Sequence, residues 1–319
     1  MKGKWIPAAC VMSILAIAPL IMPAHWIKSL TLVLLFVLWA CAWNIIGGLG
    51  GEINFLHPLF IGAGAYVSTI LYLQQGISPW AGMVIGGLVA SLLGVVLGAI
   101  CYRSGLPHLS FALITLGFTY IGQIIASSWE YIGGSVGLMI RPNPGFWRIQ
   151  FETNTGYYYV TLVFALMAVA VTVLISRSRL GYYLAAIRHN EQAAEAVGVD
   201  SVRIRLTALA ISAFLTAAGG TLYTQIMGYI EPHSAVNIEA VIEVIMFAVV
   251  GGYGTVWGPV VGTFLLMPIG ELIRAVWPGL HLVIYGVIVI AVIMFAPNGV
   301  AAWIETVLSV GSRPRQPIA

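Results

Sequence analysis

PWAGMVIGGLVASLLGVVLGAICY, residues 79–102, contains no charged side chain and no histidine. A helix rises about 1.5 Å per residue and bilayer hydrocarbon is about 30 Å thick, so this run can cross a membrane unaided. A second signal lies inside it. Gly82, Gly86, Ala90, Gly94 and Gly98 recur every fourth residue and form one small-residue stripe along a helix. Such stripes let helix backbones approach where lipid supplies no hydrophobic driving force.

The surrounding chain extends that reading. Of 319 residues, 60% are apolar and 8% charged, the balance of a chain that enters the membrane many times. Apolar segments occur about ten times, over 5–24, 30–48, 55–74, 79–102, 108–128, 157–176, 206–228, 238–251, 255–275 and 281–297. Lipid offers no partner to backbone N–H and C=O groups, so spanning elements are helices or closed barrels. The alternating apolar and polar strands of a barrel are missing. The expected class is all-α, a polytopic integral membrane protein forming one domain over 1–319, with about ten transmembrane or re-entrant helices. The third, eighth and ninth segments are interrupted by Gly or Pro or carry a charge, and are the ones expected to break within the membrane.

Lys and Arg collect on the cytoplasmic side of membrane helices. Placing both termini inside puts Lys2, Lys4, Arg103, Arg177, Arg179, Arg188, Arg203, Arg205, Arg313 and Arg315 there, with the 129–156 loop outside. Lys28 and Arg274 then fall on the outer side, against the rule. Lys2 and Lys4 followed by an apolar run resemble a secretory leader, but among so many spans the segment is expected to remain as the first of them. Cys10, Cys41 and Cys101 have neither metal-site nor disulfide spacing and read as packing residues. The net charge of +3 follows from topology and gives no sign of nucleic-acid binding.

Catalytic chemistry finds no foothold: there is no nucleophile elbow, no metal-ligand spacing and no Walker A lysine. If ATP drives this protein, another polypeptide must hydrolyse it. Ionisable residues inside spans are costly and mark candidate pathways. Glu239 and Glu243 share one helix face near the start of the eighth segment, where they reach water at the membrane edge, line a substrate mouth, or relay protons, the last disfavoured because no His or basic residue lies at helical spacing from either. His57 either faces a polar cavity or bonds to a neighbouring helix. The stripe in the fourth segment and a second one, Gly254, Gly258 and Gly262, mark packing within the chain or a subunit interface.

One long stretch is built for water: RSRLGYYLAAIRHNEQAAEAVGVDSVRIR, residues 177–205. Leu184 to Val197 is rich in helix formers, and Gly198 supplies a stop. Asp200 is placed to cap the next helix. Gln192, Ala193 and Ala194, followed after three residues by Gly198, resemble the coupling-helix signature of bacterial ABC importer permeases, Glu-Ala-Ala, three residues, Gly. Gln192 stands where that signature has glutamate, and the Ile-x-Leu-Pro of the wider signature is missing. The run from Ala186 through Arg188 and Glu191 to Ala193, Glu195, Ala196 and Gly198 is similar to LivM-type branched-chain amino-acid permeases. Phe60–Tyr66 resembles the early Gly-Ala-Tyr block of that subfamily, and Gly133–Leu138 its outer-loop Thr-Gly-Gly-x-Asn-Gly-Leu, with Ile132 and Val136 replacing Thr and Asn. Gly251–Thr255 resembles its Gly-Gly-x-Gly-Thr block, and Phe295–Val300 its C-terminal end.

The resemblance implies an ABC importer permease fold in the bacterial inner membrane. It implies a second related permease, two ATP-binding subunits and a periplasmic binding protein as partners, besides lipid and a small-molecule substrate. No cofactor is expected on this chain, since ATP and Mg would sit on the partners. Leu184, Ile187, Arg188, Glu191, Gln192, Ala193, Ala194, Glu195, Ala196 and Gly198 are the expected ATPase-coupling residues, with Glu191, Gln192 and Glu195 supplying polar contacts. The substrate class is branched-chain or other small amino acids; relatives of the same fold serve urea, short amides or sugars. An autonomous ion-coupled carrier is the alternative of a different kind.

Overall fold

A computed structural model describes residues 15–104, 108–276, 280–295 and 299–300. Cys10, the first half of the first expected segment, the basic residues of both termini and residues 296–298 of the C-terminal block lie outside the described residues. After a helix over 15–21, the chain forms α1 (Ala24–Asn44), α2 (His57–Gln75), α3 (Pro79–Arg103), α4 (His108–Ser128) and α5 (Asn154–Ser176). Two short helices, α6 (Arg179–His189) and α7 (Glu191–Ala196), lead into α8 (Ser201–Met227). The turn α9 (Pro232–Ala235) precedes α10 (Ile238–Gly252), α11 (Gly258–Val276) and α12 (His281–Phe295).

Every apolar segment expected from residue 30 onward therefore falls on a helix. The expectation of about ten crossings is not matched: among the described residues, 6 helices are long and apolar enough to cross a membrane. The shorter elements explain the difference. With 15 residues, α12 spans only about 22 Å. In α11, Pro268, Glu271 and Arg274 interrupt the apolar run, and α2 carries His57, Ser68 and Thr69 buried inside the protein.

Burial separates central from peripheral helices. In the most apolar window of α1, 83% of residues are buried within the chain, against 28% for α4, so α1 is a core helix and α4 a peripheral one. Leu35, Leu38 and Trp43 of α1 are fully enclosed. The two faces of α3 divide cleanly. Val84, Leu88, Leu92, Val96 and Ile100, again every fourth residue, are exposed and apolar, a lipid-facing stripe. Offset by half a turn, Gly82, Gly86, Ala90, Gly94 and Gly98 are buried against α2 and α8.

The closeness of that packing is measurable. A Cβ on Gly82 would lie 2.8 Å from the Ser68 Cα, and one on Gly86 3.0 Å from the Gly64 Cα. Hydroxyls tie the same trio across helices: Thr221 donates to the Gly64 carbonyl at 3.0 Å and Ser91 to the Ala210 carbonyl at 2.8 Å. Cys41 and Cys101 are free and buried, as packing residues should be.

At the far end of α8 from α7, the 129–156 loop folds back as short 3-10 turns and an antiparallel pair of two-residue strands, β1 (Leu138–Met139) and β2 (Tyr229–Ile230), with Leu138 opposite Ile230. Gly133 and Gly137, at φ 92° and 81°, make the turns that bring β1 there. At 27 residues, α8 places about 40 Å between this loop and the 177–205 segment.

Candidate functional site

The 177–205 segment is two helices, where one amphipathic helix over Leu184–Val197 was expected. Asn190 adopts an extended backbone (φ −160°, ψ 104°), and its side chain accepts a hydrogen bond from the Ala193 N–H at 3.0 Å, ending α6 and capping α7 together. Gly198 closes α7 at φ 91°. A Cβ there would meet nothing within 4 Å, so the glycine answers to backbone conformation alone. Asp200 caps α8 as its position suggested, accepting from the Arg203 N–H at 2.9 Å.

Leu184, Ile187 and Ala194 are buried, at 0%, 3% and 5% exposure, and fasten the segment to the membrane core. Polar contacts reinforce the attachment. Arg188 donates to the Gly48 carbonyl at 2.8 Å, and its guanidinium lies 4.7 Å from the centre of the Tyr253 ring. Burial pushes the Tyr253 phenol above its ordinary pKa while Arg188 pulls it back, so the ring beneath the cation is neutral. Arg205, buried near the start of α8, bonds Glu52 at 2.9 Å and Glu191 at 2.5 Å. Its guanidinium also lies 5.5 Å from the Tyr102 ring. Glu195 accepts from the Ser201 hydroxyl.

These arginines converge on one irregular place. The chain leaves α1 through a π-helical turn, Ile45–Leu49, and a loop that returns to α2 at His57. π-turns of this kind interrupt regular helix geometry and recur at functional sites. Trp43 donates to the Asn54 carbonyl at 3.0 Å and Asn44 to the Thr255 carbonyl at 2.9 Å, joining the loop to the turn between α10 and α11. Gly51, at φ 78°, lies where a Cβ would sit 2.7 Å from Arg188 Cγ. Two guanidinium groups thus tie this segment to the chain between α1 and α2 and, through Tyr253, to the turn between α10 and α11.

The residues that α6 and α7 leave exposed are partly others than expected. Glu191 and Glu195, expected to supply polar contacts, bond to Arg205 and Ser201 of the chain itself, and Glu195 stays exposed beside that bond. Gln192, Ala193 and Ala196 remain outward. So do Val197 at 81% and Tyr182 at 68% exposure, which the sequence reading passed over. The signal available was a large apolar side chain within a segment that leaves the membrane.

Among the remaining candidates, His57 is buried, and its Nε2 lies 2.9 Å from the Ser212 hydroxyl, the neighbouring-helix alternative. Gly254, Gly258 and Gly262 pack within the chain, the last two against backbone of α10. Glu239 is exposed at the first turn of α10, whereas Glu243 is buried and paired with Arg274 of α11. That pair gives Arg274, the cation that dissents from the charge rule, a partner within the chain. Glu239, Glu243, Glu271 and Arg274 line a cavity of about 290 Å³ between α1, α8, α10 and α11.

The fold and this surface define a class: a helical membrane protein whose polar 177–205 segment is clamped to its core. The family described as "Branched-chain amino acid transport system / permease component" matches residues 26–293, and the chain belongs to it. It is similar to the high-affinity branched-chain amino acid transport system permease protein LivM of Salmonella typhimurium, at 27% identity over 291 residues, 83% of this chain and 68% of the relative. LivH of Escherichia coli is 26% identical over 293 residues, covering 86% and 93% of the two chains. BraD of Pseudomonas aeruginosa is 24% identical over 291 residues. No solved structure matches it. The chain is a multi-pass membrane permease component of a transport system.

Proposed function

We propose that the chain is one half of the permease pair of an ATP-driven importer in a bacterial inner membrane, with both termini cytoplasmic. It moves branched-chain or other small amino acids delivered by a periplasmic binding protein. Two ATP-binding subunits hold ATP and Mg, and the surface formed by Gln192, Ala193, Ala196, Val197 and Tyr182 docks one of them. The second permease is a relative of this chain, as LivM and LivH are of each other by resemblance to it.

One observation carries the reading: a water-exposed helix pair that is tied by Arg188 to the π-turn at the end of α1, while Arg205 at the start of α8 holds Glu191 of that pair to Glu52 in the loop that follows the π-turn. A gradient-driven carrier has no use for such a lever. ATP-driven closure of the partner subunits would push α7, and the arginines would carry that motion to Gly48 and Glu52. The test is gentle solubilisation of the tagged protein and mass spectrometry of what remains bound. Recovery of an ATP-binding subunit and a second permease is expected. Recovery of this chain alone, with uptake of substrate by the chain reconstituted without partners, would refute the reading in favour of an ion-coupled carrier.

A further inference from the structure

The 129–156 loop carries a tip whose residues suit neither free water nor the chain's own core. Residues 141–150 read RPNPGFWRIQ, and Phe146–Arg148 form a 3-10 turn closed by an antiparallel bridge between Gly145 and Gln150. Phe146 is 61% and Trp147 75% exposed. Arg148 beside them is exposed and has no ion-pair partner among the described residues. Turns in water favour Gly, Asn, Asp and Ser. Two adjacent large rings and a cation are the residues of a membrane–water boundary.

The tip is fastened, yet the Trp147 side chain takes little part in the fastening. Trp80, in the first turn of α3, donates from its indole to the Phe146 carbonyl at 2.8 Å, and its ring centre lies 5.5 Å from that of Phe146. Ser78, the cap of α3, donates to the Trp147 carbonyl. Gly145 accepts from the Arg148 N–H at 3.0 Å and donates to the Gln150 carbonyl at 2.8 Å. Ile149 is fully buried in the core with Tyr158 and Leu162, at φ 52°, a costly backbone for a β-branched residue. A turn in bulk water leaves its carbonyls to solvent. Here side chains at the start of α3 take two of them, as a place with little water requires.

The neighbours of the tip set its depth. Trp80 also stacks on Phe164 of α5 with ring centres 6.2 Å apart, and Phe164 lies about 15 Å along that helix from Asn154. Val163 next to it is 63% exposed, and Trp80 stands one turn before Val84, where the exposed apolar stripe of α3 begins. The tip therefore bends back alongside surfaces that face lipid and does not stand above them.

We propose that Phe146, Trp147 and Arg148 form an interfacial anchor seated in the headgroup layer of the leaflet on the loop's side. The two rings lie among lipid carbonyl and upper acyl groups, and Arg148 binds lipid phosphate. The anchor ties the loop, and with it the β1 strand that pairs beyond α8, to the bilayer surface, whichever solute the chain moves.

The experiment uses the full chain in vesicles of phosphatidylcholine and phosphatidylglycerol, with Cys10, Cys41 and Cys101 replaced by alanine and Trp147→Cys carrying bimane. Phe146→Cys is the second reporter should the first fail to incorporate. Val84→Cys and Ser135→Cys, both exposed, are the lipid and water references. The ratio of quenching by lipid-borne doxyl to quenching by aqueous iodide should be at least about threefold higher at 147 than at 135, and closer to that at 84. Doxyl-labelled phosphatidylglycerol should quench at 147 about fivefold more than the phosphatidylcholine analogue at equal content, and Arg148→Gln should remove that preference. Iodide quenching at 147 equal to that at 135 puts the tip in water and overturns the anchor. Shielding from both quenchers means that protein covers the tip, and overturns it equally. Equal quenching by the two lipids, or a preference that survives Arg148→Gln, overturns the phosphate contact.

Discussion

Arg205→Met removes the guanidinium between Glu52 and Glu191. Arg205 and Glu52 side chains are 7% and 3% exposed and 2.9 Å apart. Coulomb's law at that separation, with an effective dielectric constant of about 20, gives a gross attraction of roughly 6 kcal/mol. Much of it is offset by desolvation of both ions, but breaking a buried pair from one side leaves the other charge in place and costs about 3–5 kcal/mol. The Glu191 side chain is 36% exposed, so water replaces its partner and Glu191→Gln should cost about 1 kcal/mol or less. Stability is read as unfolding of the purified transporter in mild detergent against a denaturant series, and coupling as uptake per ATP hydrolysed. Arg205→Met should be the most destabilising of the two and should lower uptake per ATP. The double variant with Glu52→Gln should recover part of the loss, because the buried charge that Arg205 offset is gone. Equal effects of Arg205→Met and Glu191→Gln, or no recovery in the double variant, would refute the argument that Glu52 is the energetic partner.

Four further outcomes follow from the geometry. Gly86→Leu should cost at least about 1–3 kcal/mol by forcing apart α2 and α3, whose backbones meet at Gly64; Gly117→Ala, where a Cβ meets nothing within 4 Å, should stabilise α4 by about 0.5–1 kcal/mol, both read as unfolding free energies. Val197→Asp places a charge on the exposed face of the coupling segment, and binding of the ATP-binding subunit in a pull-down titration should weaken at least about tenfold with the chain's own unfolding unchanged. Gly198→Ala, at φ 91°, should cost about 1–2 kcal/mol locally and show as faster amide exchange across 190–200.

The helices were legible because lipid imposes one rule on every spanning segment, and the spacing of Gly82, Gly86, Gly94 and Gly98 told which face of α3 packs. Asp200 as a cap and Gly198 as a stop were legible for the same local reason. The break at Asn190 was not, since helix formers on both sides give a continuous propensity and only the competing Asn side chain divides it. Glu191 and Glu195 read as partner contacts because a charged residue in a polar segment is ordinarily solvated; that Arg205 and Ser201 claim them depends on where α8 starts in space.

By itself, then, the sequence determined the membrane class, the place of each long helix, the polar coupling segment and the family resemblance, because hydropathy, small-residue spacing and local motifs are properties of neighbours along the chain. Only the tertiary structure decided that Arg205 joins Glu52 across the fold, that Arg188 reaches Gly48, that Arg274 answers Glu243, and that Trp39 and Glu239 line one cavity. Those pairings join residues from 31 to 140 or more positions apart, and burial selects them by requiring each enclosed charge to find whichever partner packing brings within reach.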